Sequence, residues 1–164
     1  MRMHSTASLV LLALSFSAGP LAAQAEEREV LGVVRRLFDG MRARDTAKMR
    51  AQLHPDARMA SPSTRDGTVS VTVESPDKWL SSVAGSAGGM LDERITSAVV
   101  KVDGALASVW ASYTFYLGAR LSHCGVDAFH LVRLPAGWRI IDLADTRRRE
   151  NCPTGPDSLS APPE

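Results

Sequence analysis

Beyond its first two dozen residues the chain has no long hydrophobic run, and it has no excess of either charge: 19 Lys and Arg stand against 18 Asp and Glu. The first absence leaves nothing near the ~20 apolar residues that a membrane-spanning helix needs. The second argues against a nucleic acid partner, which a basic stripe would have to meet. There is no internal repeat. A Gly-rich phosphate loop, an H-E-x-x-H pair and a G-x-S-x-G elbow are also missing, so the chemistries those motifs signal have no support here. Only two cysteines occur, Cys124 and Cys152, and they lack the C-x-x-C spacing of a zinc site. No cofactor is implied.

What is present starts with a leader-like segment. Ser8 to Phe16 is apolar behind a weakly basic start, and Gly19-Pro20 is expected to break any helix. Ala23-Gln24-Ala25 then supplies a small-x-small cleavage pattern, so residues 1–25 read as a signal peptide and the product as exported, periplasmic or secreted. In an oxidising compartment the default for a lone cysteine pair is a disulfide. The competing reading is a metal site of Cys124, Cys152 and His123.

Residues 26–152 read as one domain, and residues 153–164, rich in proline, as a disordered tail. Val30, Val33, Val34, Leu37, Phe38 and Met41 recur at helical steps, which predicts a helix over Glu26–Arg44. A short second helix is expected from Asp45 through Leu53, ended and capped by His54-Pro55-Asp56. Ala57–Ala60 and Thr68–Val73 read as strands, and Ser75-Pro76-Asp77 as the start of a third helix. From Leu91 the apolar period becomes two, predicting strands over 92–102, 105–117, 122–134 and 138–144. Their short connections force antiparallel neighbours. Helices on one face of such a sheet make an α+β fold, with a cone-shaped cavity between the layers.

The segment RDTAKMRAQLHPDARM, the strand VDAFHLVR and the opening Gly-Trp-Arg-Ile resemble the nuclear transport factor 2-like superfamily, also called SnoaL-like, which includes ketosteroid isomerase. The closing segment looks most like exported bacterial members labelled "putative lumazine-binding". The resemblance runs from about Glu29 to Cys152. It implies a curved antiparallel sheet with N-terminal helices packed on its concave face, and it is silent on function, because this fold serves enzymes, binding modules and adaptors alike. Aligned to ketosteroid isomerase, Ser61 falls at the base position and Leu37 at the donor tyrosine. Asp127 alone matches, at the donor aspartate. That chemistry is not expected here.

Asp127 alternates with His123 and Phe129, so all three share a strand face. Two readings of Asp127 stand: a structural aspartate satisfied by a partner, or a buried acid with a raised pKa that donates a hydrogen bond. His123 lies ~13 Å along the strand from it, too far for a direct bond. Trp110, Ser112, Thr114 and Tyr116 share a face that the alignment turns toward the cone. Asp142 shares a face with Trp138 and Ile140, which places it at the cavity mouth opposite Asp127 or an arginine. The Arg147-Arg148-Arg149 run is read as solvated.

The expectation is an exported, non-catalytic protein that binds a small hydrophobic or heterocyclic molecule or serves a structural role. The alternatives are a cofactor-free isomerase or hydrolase, with Asp127 as acid or donor assisted by Asp142 or His123, and an interaction module that pairs as a homodimer through its sheet. A cavity filled by Trp79, Trp110 and Trp138 would favour the interaction module; an open one with Asp127 in its wall would not.

Overall fold

A computed structural model of the chain describes residues 19–153 and 157–159. The leader expected over residues 1–25 therefore falls largely, through residue 18, outside the described residues. Helix α1, Pro20–Ala43, begins where a break was expected. Proline is tolerated at the first helical position, where its missing N–H has no partner to lose. The predicted apolar stripe of α1 is buried throughout. Glu26 lies a turn and more inside the helix and pairs with Arg133 across the domain.

Helix α2, Thr46–Arg50, is capped by the Asp45 side chain, which accepts from the Lys48 N–H. It ends earlier than expected, and His54-Pro55-Asp56 do not cap it. They lie inside strand β1, Leu53–Arg65, in the irregular stretch where pairing to its neighbour shifts between Leu53 and Arg58. Such an interruption is where a strand accepts proline. A two-residue turn follows, with Asp66 at φ 50° and Gly67 at φ 75°, the left-handed pair that suits a tight hairpin. Strand β2 is Thr68–Glu74 and helix α3 is Pro76–Ala84, capped by Ser75.

Strands β3 (Leu91–Asp103), β4 (Leu106–Leu117), β5 (Arg120–Leu134) and β6 (Gly137–Asp145) form an antiparallel meander. β1 joins β6 in parallel, so the six-stranded sheet runs β2-β1-β6-β5-β4-β3. Register shifts at Thr96, Ser122 and Ile141 each insert one residue. Such bulges bend the strand and move every later side chain to the other face. The resulting sheet is curved and unclosed, and α1 fills part of its concave face, where Phe38 meets Phe129 edge-on at 6.1 Å.

Two devices close the structure. Cys124 and Cys152 form a disulfide, which consumes both thiols and removes the metal reading. The segment it ties down pairs with β5 through the main chains of Cys124 and Arg148. Of the tail expected to be disordered, Asp157–Leu159 lie along the edge of β3. Ser158 N–H and Oγ both donate to the Ile95 carbonyl, and Asp157 accepts from the Ile95 N–H. Arg42 binds Asp157, Asp92 and Asp39 from α1, fastening helix, strand and tail together. Among the described residues, no helix is long and apolar enough to cross a membrane.

Candidate functional site

The concave face is built in rows, because cross-strand partners point to the same side. One row runs Ala98, Ala111, Asp127, Asp145. The next runs Ile95, Tyr113, Gly125, and the third Glu93, Phe115, His123. Glu93, Tyr113, Phe115, His123, Asp127 and Asp145 line a cavity of about 350 Å³, which Phe38, Trp79 and Ser61 help to enclose. Four carboxyl groups, with Glu74 at the end of β2 the fourth, therefore line one partly aromatic chamber.

Gly125 makes the chamber possible. A Cβ there would lie 1.8 Å from the Thr146 carbonyl oxygen and 2.9 Å from the Tyr113 ring. Only glycine lets the chain after β6 cross at that point. The Tyr113 hydroxyl then donates to the Thr146 carbonyl at 2.9 Å, and Thr146 Oγ1 accepts from the Val126 N–H.

Asp127 is 3% exposed, and its Oδ2 has no hydrogen-bond partner among the described residues. Burial raises its pKa well above the ordinary carboxylate range, and the neighbouring Glu93 and Asp145 charges add to that. Burial also pushes Glu93 up to about 7, with Asp145 adding and the contact with Asp127 opposing. The two carboxyls act on each other's protonation, Glu93 raising the pKa of Asp127 and Asp127 opposing the rise at Glu93. Asp145 differs. It accepts from the Ser61 hydroxyl and from Arg147 Nε, the latter at 2.6 Å. His123 stacks on Phe115 at 4.8 Å between ring centres, and burial, with the Arg147 charge, lowers its pKa, which favours neutral imidazole.

The structure sorts the candidate residues in three ways. Ser61, His123 and Asp127 lie in the cavity wall. Phe129 shares their face but sits deeper, in the core against α1. Trp110, Ser112, Thr114 and Tyr116 are on the opposite face, because Ala111 is the residue paired with Asp127. Trp110 is 60% exposed there, and Tyr116 lies under Arg94. Asp142 is also on the outer face, 3.5 Å from His130, because the bulge at Ile141 reverses the alternation. Asp145 takes the inward position. Arg147, read as solvated, instead turns to Asp145 at the cavity rim.

Glu93, Tyr113 and Asp145 were missed. Extending the register of the β5–β6 turn, where Leu134 faces Gly137, puts Ala144 opposite Asp127; the bulge at Ile141 brings Asp145 there instead, and no local signal marks it. The three tryptophans do not fill the chamber: Trp79 lines it, Trp138 is buried in the core and Trp110 is outside. Thr114 is fully buried on the outer face beside Cys124, and its Oγ1 is unpartnered among the described residues. Thr114→Val is expected to stabilise the fold by about 1 kcal/mol, since an unmet hydroxyl becomes a methyl of similar shape. A urea midpoint below that of the parent would show that the hydroxyl has a partner.

Comparison with known proteins comes down to one family and one fold. The model of the family described as "putative lumazine-binding" matches residues 25–143. No curated protein matches the sequence. Among solved structures, the chain is similar to a protein of unknown function from Mycobacterium tuberculosis, with 17% identity and a TM-score of 0.65 over 81% of this chain and 78% of that one. A nuclear transport factor 2-like protein with a cystatin-like fold from Novosphingobium aromaticivorans gives 14% identity and 0.64, over 86% and 92%. A putative dehydratase of the same family from Streptomyces avermitilis gives 16% and 0.62, over 77% and 98%. Identities this low speak for the fold alone.

Proposed function

The chain belongs to the "putative lumazine-binding" family within the nuclear transport factor 2-like superfamily, and from that membership and the chemistry of its cavity we propose that it binds a small planar heterocycle. The observation that carries this reading is the Glu93–Asp127 pair in the wall of an unfilled chamber. One proton on two carboxyls offers a donor beside an acceptor, the complement of an N–H and C=O edge. The volume is at the small end for ligand pockets, and Phe38, Trp79 and Phe115 suit a flat ring.

Titration with lumazine, followed by its own fluorescence, is expected to saturate, and Asp127→Asn to weaken binding about tenfold, the size of one hydrogen bond to a charged group. No change in fluorescence up to millimolar lumazine, with no heat in calorimetry, would remove the reading. Turnover is the second reading. Its support is that a shared proton and a neutral imidazole, His123, occupy one cavity, an acid and a base together. Chromatography of the bound compound after incubation separates the two: an altered compound means catalysis.

The proposal includes export and self-association. Export is supported by the leader-like start and by the disulfide, which persists only where thiols are not kept reduced. Self-association is supported by the outer face of the sheet. Val99, Trp110, Ala128, Ala144, Ala60 and Val73 form one apolar row across all six strands. Beside it lie Lys101, Asp142 and Arg58, charges of both signs that a two-fold copy could match. Trp110→Glu is expected to convert a dimer to a monomer in sedimentation. Identical mass for parent and variant would sink this part of the proposal.

A further inference from the structure

The charge balance of the chamber is uneven. Among the described residues, Glu74 on β2, Glu93 on β3, Asp127 on β5 and Asp145 on β6 line it, Glu74 pairs with Lys78, and Arg147 is the one Lys or Arg in its wall. Arg147 is engaged by Asp145, to which its Nε donates. Arg42 approaches Glu93 from α1, but its side chain binds Asp39, Asp92, Asp157 and the Glu93 main-chain oxygen. Tyr113 gives its hydroxyl proton to the Thr146 carbonyl, and the pKa of His123 is lowered. Among the described residues, the Glu93 and Asp127 carboxyls thus face the cavity without a cation of their own, and Asp127 Oδ2 is buried with no hydrogen-bond partner.

We propose, on the basis of the small-molecule reading above, that the preferred occupant is a planar organic cation, an amidine or protonated aminoheterocycle, whose N–H edge is held by Asp127 and Glu93. Two parallel N–H donors on a charged planar group match carboxylate oxygens in the way guanidinium groups do. The aromatic wall of Phe38, Trp79 and Phe115 adds attraction for a flat cation, strengthened where water is excluded. Such a ligand supplies the charge that the shared proton otherwise provides, so its binding expels that proton. A lactam edge, by contrast, leaves the proton in place.

The test is a calorimetric series of near-isosteric probes, benzamidine, benzamide and benzoate, with lumazine alongside, each at pH 5 and pH 8. Benzamidine is expected to bind at least tenfold more tightly than benzamide, and benzoate not at all. Its affinity should rise about a hundredfold from pH 5 to pH 8, since one proton leaves per ligand bound below about pH 7. Its apparent enthalpy should differ between phosphate and Tris buffers, the mark of a released proton. Asp127→Asn should bring benzamidine down to the level of benzamide. Benzamide binding as tightly as benzamidine, any binding of benzoate, or a buffer-independent enthalpy would overturn the proposal. If lumazine binds while benzamidine does not, the cation preference falls and the heterocycle reading stands. Silence from all four probes removes both.

Discussion

Reducing the Cys124–Cys152 bridge lowers the melting temperature by roughly 12 °C. The bond closes a loop spanning a sequence separation of 28 residues. Loop-closure entropy for that length is worth about 3.6 kcal/mol in the denatured ensemble. A domain of this size loses stability at about 0.3 kcal/mol per degree near its midpoint, which converts the one figure into the other. The loop is not peripheral. It contains part of β5 and all of β6, and its closing segment supplies the Thr146 carbonyl to Tyr113 and Arg147 to Asp145. Melts with and without dithiothreitol give the shift directly, and a Cys124→Ala, Cys152→Ala double variant repeats it without free thiols. Titration of the unfolded, unreduced protein should find no free thiol. A shift under 2 °C would mean that the main-chain pairing of Cys124 with Arg148 holds the segment by itself.

Much of the fold was legible because its periods are simple. The stripe from Val30 to Met41 predicts the buried face of α1, and the alternation after Leu91 predicts four strands with their turns. The parallel pairing of β1 with β6 is a different matter. It joins segments far apart in sequence, and no local signal marks it. Of β1 only Ala57–Ala60 reads as a strand, since Pro55 and Pro62 interrupt the pattern on either side. Propensity there yields to tertiary pairing.

The site was legible in its type and not in its membership. Strand alternation finds Asp127 with His123, but it carries correctly only to the next bulge. The inserted residue at Ile141 exchanges Asp142 for Asp145, and the one at Thr96 separates the parity of Glu93 from that of the later β3 residues. An alternation with three such shifts cannot be extrapolated along the strand. Register read across strands is the more robust guide: Ala111 opposite Asp127 suffices to turn Trp110 outward.

Asp127→Asn makes the protein more stable, and increasingly so as pH rises. A carboxyl with a folded pKa above its unfolded value binds more protons folded than unfolded between the two. Its presence therefore costs little in acid, and its cost grows as pH rises through that interval. For Glu93 the interval runs from the ordinary carboxylate range to about 7, and for Asp127 it starts there and extends upward. Asparagine keeps the shape and takes no charge, so the variant and its parent should melt together near pH 4.5. By pH 8 the variant should be ahead by on the order of 2 kcal/mol, the net scale of a buried charge without a partner. That corresponds to about 7 °C at this size. Glu93→Gln should show the same divergence, levelling near pH 7. Parallel melting curves for parent and Asp127→Asn from pH 4.5 to 8 would mean that Asp127 is an ordinary, compensated carboxylate. The cavity would then lose the feature on which its binding chemistry rests. A gain in stability matched by the tenfold loss of ligand affinity would instead mark Asp127 as a residue whose burial is maintained for binding at the expense of the fold.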